Sequence, residues 1–190
     1  MDKLELRMFG FTPYNISPIQ QSIQFGHAVV AYGQMVKREK NQSISELYDD
    51  WADNWKTFII LNGGTSNHVD PEYVGSMEGI LEELKKNDIN LATFNEPDLN
   101  DMLSGIVFIV DERVFNRKKY TDFGDWIVEN HFGYIKNNML TGNKIEKLRK
   151  EGYFLTGDST EKKFYYEWVD FVGGKKNVFL RDLLLTKKLA

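Results

Sequence analysis

Ser104–Phe115, with the sequence SGIVFIVDERVF, is the segment that decides the fold class of this chain. Its run of apolar and β-branched residues is typical of a strand buried within a sheet. The segment before it, INLATFNEPDL (Ile89–Leu99), predicts a second strand, and only a short loop separates the two. Strands joined in this way are expected to be antiparallel neighbours.

Further strands and helices are predicted on the N-terminal side of this pair. The strands are LELRMFGF (Leu4–Phe11) and KTFIILNGG (Lys56–Gly64), and helices are expected over about 18–40, 45–54 and 70–86. The order β-α-α-β-α-β-β predicts an α/β fold whose four-stranded mixed sheet is flanked by helices. Ser43 or Ser45 is expected to cap the second helix, and Asp70-Pro71 to open the third.

The pattern changes after Val114, and two parts of the chain are expected. Residues 1–115 form the α/β domain, and residues 116–190 form a basic, aromatic-rich and mostly helical C-terminal extension that packs on it. Glycines divide the extension into segments. These segments are expected to be helical or mixed over about 123–134, 144–151, 161–171 and 175–188.

Composition narrows the class of protein. With 190 residues, 42% of them hydrophobic and 14% aromatic, the chain is long and apolar enough to bury a core. No apolar run approaches the length of a membrane span and no N-terminal signal pattern is present, so no membrane contact is expected. The absence of cysteine excludes disulfides and favours a cytoplasmic location. The three histidines show no metal-binding spacing, so no metal or other cofactor is expected.

Charge is distributed unevenly along the chain. Residues 1–112 hold 8 Lys and Arg against 18 Asp and Glu, a net charge of −10, whereas residues 113–190 hold 16 against 10, a net charge of +6. A basic C-terminal part indicates a surface that faces a polyanion. The simpler alternative is that the two parts neutralise each other, because the basic residues are interleaved with acidic ones.

The first predicted helix, SPIQQSIQFGHAVVAYGQM (Ser17–Met35), carries its own start signal. Ser17 is expected to be the N-cap, Pro18 suits the first helical position, and Gln20 closes a capping box. A polar row at i, i+4, i+7 and i+11 consists of Gln20, Gln24, His27 and Ala31. An apolar row at helical spacing consists of Ile19, Ile23 and Val30. The polar row is either a solvated flank or the wall of a polar cleft.

A second polar segment, Asn95–Asp101, lies between the last two predicted strands and holds three carboxylates and two amides in seven residues. Ligand sites in α/β sheets gather at strand ends. There, Glu96 or Asp98 would orient His27 as a general acid or base. The alternative is that the loop residues are ordinary turn formers and His27 is a half-buried imidazole bonded to backbone.

These motifs together resemble the type-2 peptidyl-tRNA hydrolase superfamily, in particular its divergent bacterial and phage-type members. The similarity lies in the PxQQxxQxxHA pattern of the first helix and in EPDL at the end of a strand, before the last apolar strand, and it covers about residues 4–115. It implies a four-stranded mixed sheet and an enzyme that hydrolyses the ester between a peptide and the 3′ end of tRNA.

The resemblance also implies roles for individual residues. Gln24 and His27 match the QxxHA positions of the family, Glu96 falls at the aspartate of its DAGxT loop, and Asn100 falls at the threonine of that loop. Gln20 stands where better-known members have a basic residue, so it offers an N–H donor without a charge. The proposed catalytic set is His27, Glu96 and Asp98.

If tRNA binds, its phosphates need basic contacts, which the acidic N-terminal part supplies sparsely. The nearest cluster after the last strand consists of Arg113, Arg117, Lys118 and Lys119. Two other interpretations stay open: an inactive fold that binds a nucleic acid or a host protein through its C-terminal extension, and hydrolysis of another ester or amide. The oligomeric state is not predicted by the sequence.

Overall fold

A computed structural model of the protein describes residues 3–66, 75–133 and 159–190. Within these ranges the elements are β1 (Leu6–Thr12), α1 (Pro18–Glu39), α2 (Gln42–Asp50), β2 (Thr57–Asn62), α3 (Ser76–Lys86), β3 (Leu91–Glu96), β4 (Met102–Asp111), α4 (Glu112–Phe115), α5 (Phe123–Asn130), α6 (Ser159–Phe171) and α7 (Lys175–Leu185). The predicted order of the first seven elements is confirmed. The predicted helix over about 144–151 and the predicted helix start at Asp70-Pro71 lie outside the described residues.

The four strands form one mixed sheet in the order β2-β1-β4-β3. β1 and β2 are parallel, whereas β4 is antiparallel to both β1 and β3. β4 lies inside the sheet and is buried along nearly its whole length, as its apolar sequence predicts. The predicted fold class, a four-stranded mixed α/β sheet with a mostly helical C-terminal part, is therefore confirmed.

α1 packs on β3 and β4, and with α2 it covers one face of the sheet. The core on this face consists of Leu6, Met8, Phe25, Ala28, Tyr32, Val36, Ile44, Trp51, Ala92, Val107 and Ile109. Burial, with a smaller contribution from the charge of Glu39, raises the pKa of the Tyr32 phenol to about 12. The phenol therefore stays uncharged at pH values at which an exposed tyrosine would ionise.

Two glycines let α1 approach the sheet. A Cβ atom on Gly10 of β1 would lie 2.7 Å from Cε2 of Phe25, and a Cβ atom on Gly105 of β4 would lie 2.8 Å from the carbonyl oxygen of Gln24. Both distances are shorter than ordinary van der Waals contact, so a larger residue at either position would push the helix away.

α1 begins as predicted but does not bury its predicted apolar row. Ser17 and Gln20 form the expected capping box, with Pro18 in the first turn. The buried side chains are instead Gln21, Gln24, Phe25, Ala28, Tyr32 and Val36. The predicted apolar row faces solvent, with exposed fractions of 74% for Ile19, 48% for Ile23 and 62% for Val30. The aromatic side chains of Phe25 and Tyr32 determine which face of α1 is buried, because they bury far more apolar area than the side chains of the apolar row.

The second helix starts earlier than predicted. Asn41, not Ser43 or Ser45, is the N-cap of α2, because its side-chain oxygen accepts the N–H groups of Ser43 and Ile44 at 3.1 and 3.4 Å. The helix continues into a π-helical turn over Trp51–Trp55, which ends at Lys56 in the left-handed conformation. β2 follows directly.

The chain divides into two compact units. The first comprises residues up to Glu112 together with 182–190, and the second comprises 113–181. By sequence the second unit holds 14 basic and 9 acidic residues, a net charge of +5, whereas the first has a net charge of −9. The last residues of the first unit pair with β2: the N–H of Asn62 donates to Lys188 O at 2.9 Å, and the N–H of Ala190 to Ile60 O at 3.0 Å. This pairing covers part of the edge of the sheet.

The second unit has its own core and an ionic network around the buried Arg181. Its buried residues are Phe123, Trp126, Ile127, Phe164, Trp168, Val169 and Val172. Arg181, only 1% exposed, donates to the carbonyl oxygens of Arg113 and Tyr120 at 2.6 and 2.8 Å and to the Asp122 carboxylate at 2.6 Å. Arg117 donates to both carboxylate oxygens of Asp122. Two guanidinium groups therefore share one carboxylate.

None of the helices in the part of the chain that the structure describes is long and apolar enough to cross a membrane.

Candidate functional site

A β-bulge between β3 and β4 places a polar side chain under α1. Phe94 of β3 pairs with Gly105, and the next residue, Asn95, pairs with Leu103, so Ser104 is an extra residue in β4. Bulges redirect the side chain of the extra residue. The Ser104 hydroxyl is fully buried and lies 2.8 Å from Oε1 of Gln24, with the Phe94 carbonyl oxygen at 3.2 Å.

Gln24 connects this hydroxyl to a carboxylate. Its amide is buried in α1, with Oε1 accepting from Ser104 and Nε2 donating to Oε2 of Glu96 at 2.5 Å. One hydrogen bond to each end of the amide fixes its orientation, and the bond to a carboxylate is charge-assisted. The result is a continuous run of side-chain hydrogen bonds that links Ser104, Gln24 and Glu96.

Glu96 is held from two sides. It is the last residue of β3, and its second oxygen, Oε1, accepts the N–H of Asp98 at 3.5 Å at the start of a 3-10 turn over Pro97–Leu99. The predicted polar row of α1 and the predicted acidic loop are therefore in contact, although Gln24 and Glu96 are 72 residues apart in the sequence.

His27 lies one turn further along α1 and is exposed. Its ring packs against Phe94, with 4.5 Å between the ring centroids. Among the residues that the structure describes, none forms a hydrogen bond or an ion pair with the His27 imidazole, so Glu96 and Asp98 are not its partners. The carboxylate expected to orient His27 is bonded to Gln24 instead, and an aromatic ring supports the imidazole.

The other site residues predicted for the first unit are Gln20 and Asn100, and both are exposed. Gln20 is exposed, and its Oε1 accepts the N–H of Ser17 at 3.1 Å, which leaves the amide N–H₂ group directed at no other described residue. Asn100 and Asp101 take the left-handed conformation, with φ of 54° and 57°. A hydrogen bond of 2.7 Å from Nδ2 of Asn95 to Asp101 O closes the loop.

The predicted basic residues belong to the second unit and differ in their surroundings. Arg117 is bonded to Asp122 and to the carbonyl oxygen of Arg181. The Arg113 guanidinium lies against Gly173, where an added Cβ atom would come within 2.6 Å of Cζ. Lys118 and Lys119 are exposed, and Nζ of Lys119 lies 5.3 Å from the centroid of the Tyr120 ring. The two lysines are therefore the charges best placed to meet a phosphate.

Comparisons with known proteins give no assignment: the chain matches no protein-family model and no curated protein. Within 3–66, 75–133 and 159–190, no group of three or more His, Asp and Glu side chains is arranged to hold a metal ion. The geometry of α1 and the β3–β4 segment is therefore the basis for a functional assignment.

Ser104 is the site residue that the sequence motifs do not identify. A serine followed by glycine inside an otherwise apolar strand is the signal that indicates it, because isolated polar and glycine residues in strands often mark bulges. Its position under Gln24 depends on the register of β3 against β4.

Replacing Ser104 by alanine is expected to lower the free energy of unfolding by about 1–2 kcal/mol, because Oε1 of Gln24 would lose its donor in a buried position. Denaturant titration measures the change. Ser22→Ala is the matched control, because Ser22 lies on the exposed side of α1 and bonds only to the carbonyl oxygen of Pro18. Equal effects of the two substitutions would contradict the role assigned to Ser104.

Proposed function

We propose that this protein is a peptidyl-tRNA hydrolase-like enzyme that cleaves the ester between a peptide and the 3′ end of tRNA. The observation that carries the proposal is the hydrogen bond between Gln24 and Glu96, which joins the two segments that resemble the family's site. The four-stranded mixed sheet agrees with the fold that the resemblance implies.

In the proposed reaction, the exposed His27 imidazole takes a proton from a water molecule, and the water oxygen attacks the ester carbonyl carbon. Negative charge then develops on the carbonyl oxygen. The amide groups of Gln20 and Asn100, at positions that the resemblance assigns to the site, are assigned to stabilise that charge. The imidazolium returns its proton to the departing 3′ oxygen of the tRNA, which completes the hydrolysis.

Glu96 has a positioning role in this proposal. Its carboxylate fixes the Gln24 amide and caps the turn that carries Asp98 and Asn100, so it determines where the loop stands relative to α1. The bulge at Ser104 supports the same amide from below. Asp98 is the second carboxylate of the proposed site, and it is exposed. A substrate, or another side chain that moves toward it, can therefore contact it.

The basic second unit is assigned to tRNA binding, with Lys118 and Lys119 among its exposed cations. Each phosphate contact contributes a salt-dependent term to the affinity, so binding should weaken as the salt concentration rises. The substrate is a product of translation, which places the protein in the cytoplasm, as its lack of cysteine also favours.

One observation favours a second function, in which the fold is retained without catalysis. His27 has no carboxylate partner among the described residues, whereas general-base histidines are commonly oriented by one. In this alternative the second unit, with its own aromatic core, is the binding module for a nucleic acid or a protein.

Release of tRNA from purified peptidyl-tRNA distinguishes these functions. We expect turnover by the intact protein and a loss of at least about 100-fold in His27→Ala, because a positioned acid-base group contributes that much or more. Folding should be unchanged, since His27 is exposed. Gln34→Ala, on an exposed position of the same helix, is the control and should retain full turnover.

Other outcomes have defined meanings. If the intact protein binds tRNA in a salt-sensitive manner without cleaving it, and Lys118→Ala with Lys119→Ala weakens that binding, the second function is supported. If neither cleavage nor tRNA binding is observed, the hydrolase proposal and the nucleic-acid form of the alternative are both wrong.

A further inference from the structure

The outer face of α1 carries a row of apolar side chains that is exposed to solvent. Ile19, Ile23 and Val30 are 74%, 48% and 62% exposed, and with Gly26 they recur at intervals of four, three and four residues. This 4-3-4 spacing is that of the contact positions along a coiled-coil seam. Clustered exposed apolar side chains on a regular helix mark an interaction surface. The four residues are named the outer stripe.

We propose that the outer stripe packs against the outer stripe of a second copy of this chain, with the two α1 helices antiparallel about a two-fold axis. Such an axis near Gly26 would set Ile23 of each copy against Val30 of the other. An added Cβ atom on Gly26 would meet no atom within 4 Å, so the space beside the helix is open at that point. A residue without a side chain there lets two helix backbones approach closely.

The charges near the two ends of α1 indicate that the partner is a second copy of this chain. They also indicate the direction in which the two helices pair. The helix has no Asp, Glu, Lys or Arg between Pro18 and Val36, and its basic residues, Lys37 and Arg38, lie in the last turn. Lys40 follows at the C-cap, against one carboxylate from Glu39. The last turn of α1 and its C-cap therefore carry three basic residues and one acidic residue.

An acidic loop lies at the opposite end. Phe94 contacts His27 and Glu96 contacts Gln24, so the chain beyond Glu96 continues toward the N-terminal end of α1. Asp98, which is exposed, follows in that direction, whereas the chain turns back at Asp101, whose carbonyl oxygen accepts from Nδ2 of Asn95 at 2.7 Å. Antiparallel pairing places the basic end of each helix beside the acidic loop of the other copy, whereas parallel pairing would place like charges together.

Sedimentation equilibrium of the full chain over a concentration series tests the proposal. We expect a reversible rise in mass from 22.1 kDa toward twice that value. Ile23→Asp should weaken self-association by about 100-fold, because a charged carboxylate would have to be buried in the interface. Leu185→Asp is the matched control, since Leu185 is 65% exposed on α7 and lies off the outer stripe. Circular dichroism should show the wild-type helix content for the Ile23→Asp protein at low temperature, which separates a loss of association from a loss of folding.

Charge reversal tests the direction of the pairing. Lys37→Glu combined with Arg38→Glu should weaken self-association, and adding Asp98→Lys to the same chain should restore part of it. A wild-type mass of 22.1 kDa at every concentration would overturn the proposal. A dimer unaffected by Ile23→Asp would overturn the assignment to the outer stripe, and stronger association after reversal at Lys37 and Arg38 would overturn the antiparallel arrangement.

Discussion

Replacing Gly10 by alanine is expected to lower the free energy of unfolding by about 3 kcal/mol or more. The new Cβ atom would clash with the carbonyl oxygen of Ile106 in the adjacent strand and would lie 2.7 and 2.8 Å from Phe25 and Val107. The first of these contacts is with backbone inside the sheet, which cannot rotate away. Relief would require β1, β4 or α1 to move, and each is packed against the other two.

Chemical denaturation of the full chain measures this loss. Gly79→Ala is the matched control: Gly79 lies within α3, and an added Cβ atom would meet nothing within 4 Å. There the substitution is expected to stabilise the protein by about 0.5–1 kcal/mol, because alanine favours the helix more than glycine does. A Gly10→Ala protein as stable as the wild type would show that α1 does not pack on the sheet at this distance.

Replacing Arg181 by methionine is expected to destabilise the second unit by about 2–4 kcal/mol, although methionine matches the aliphatic part of the arginine side chain. The guanidinium bonds to Arg113 O, Tyr120 O and the Asp122 carboxylate would all be lost in a buried position. Asp122 would keep only the bidentate contact from Arg117. The substitution therefore removes one cation from a network in which two guanidinium groups are joined by one carboxylate.

Hydrogen exchange locates this effect. Amides of α5 and of the helix that carries Trp168 should exchange faster in Arg181→Met, while those of β1 and β4 should stay protected. Lys85→Met is the control, since Lys85 is exposed on α3 and its replacement should leave both sets unchanged. Asp122→Asn should reproduce most of the loss, because it leaves two guanidinium groups without the shared carboxylate. Unchanged exchange in both variants would rule out a structural role for the network.

The features of the fold that arise from residues close together in the sequence were predictable from the sequence. The capping box of Ser17 and Gln20 forms between residues three apart, so its chemistry is complete in the local sequence. The same holds for β4, whose apolar run predicts burial, and for its pairing with β3 across a short loop. The contact between the first helix and the EPDL loop was expected from a resemblance, and its central hydrogen bond joins Gln24 to Glu96.

Contacts between distant residues were not predictable in the same way. The rotation of α1 depends on Gly10 and Gly105, which are small enough for Phe25 and Gln24 to turn inward. Periodicity alone groups Ile19, Ile23 and Val30 on one side of the helix, but it contains no information about which side chains the sheet beneath can accept. Arg117 was expected at a phosphate-binding surface, but its acidic partner Asp122 also binds Arg181, 59 residues further along the chain.

The element order, the helix start at Ser17 and the burial of β4 follow from the local sequence, because hydrogen bonding and apolar patterning act over a few residues. Three other features depend on tertiary contacts: Ser104 turns toward Gln24, Glu96 bonds to Gln24 rather than His27, and the outer stripe faces water. These outcomes depend on strand register and on close packing between segments, which are properties of the assembled sheet and helix.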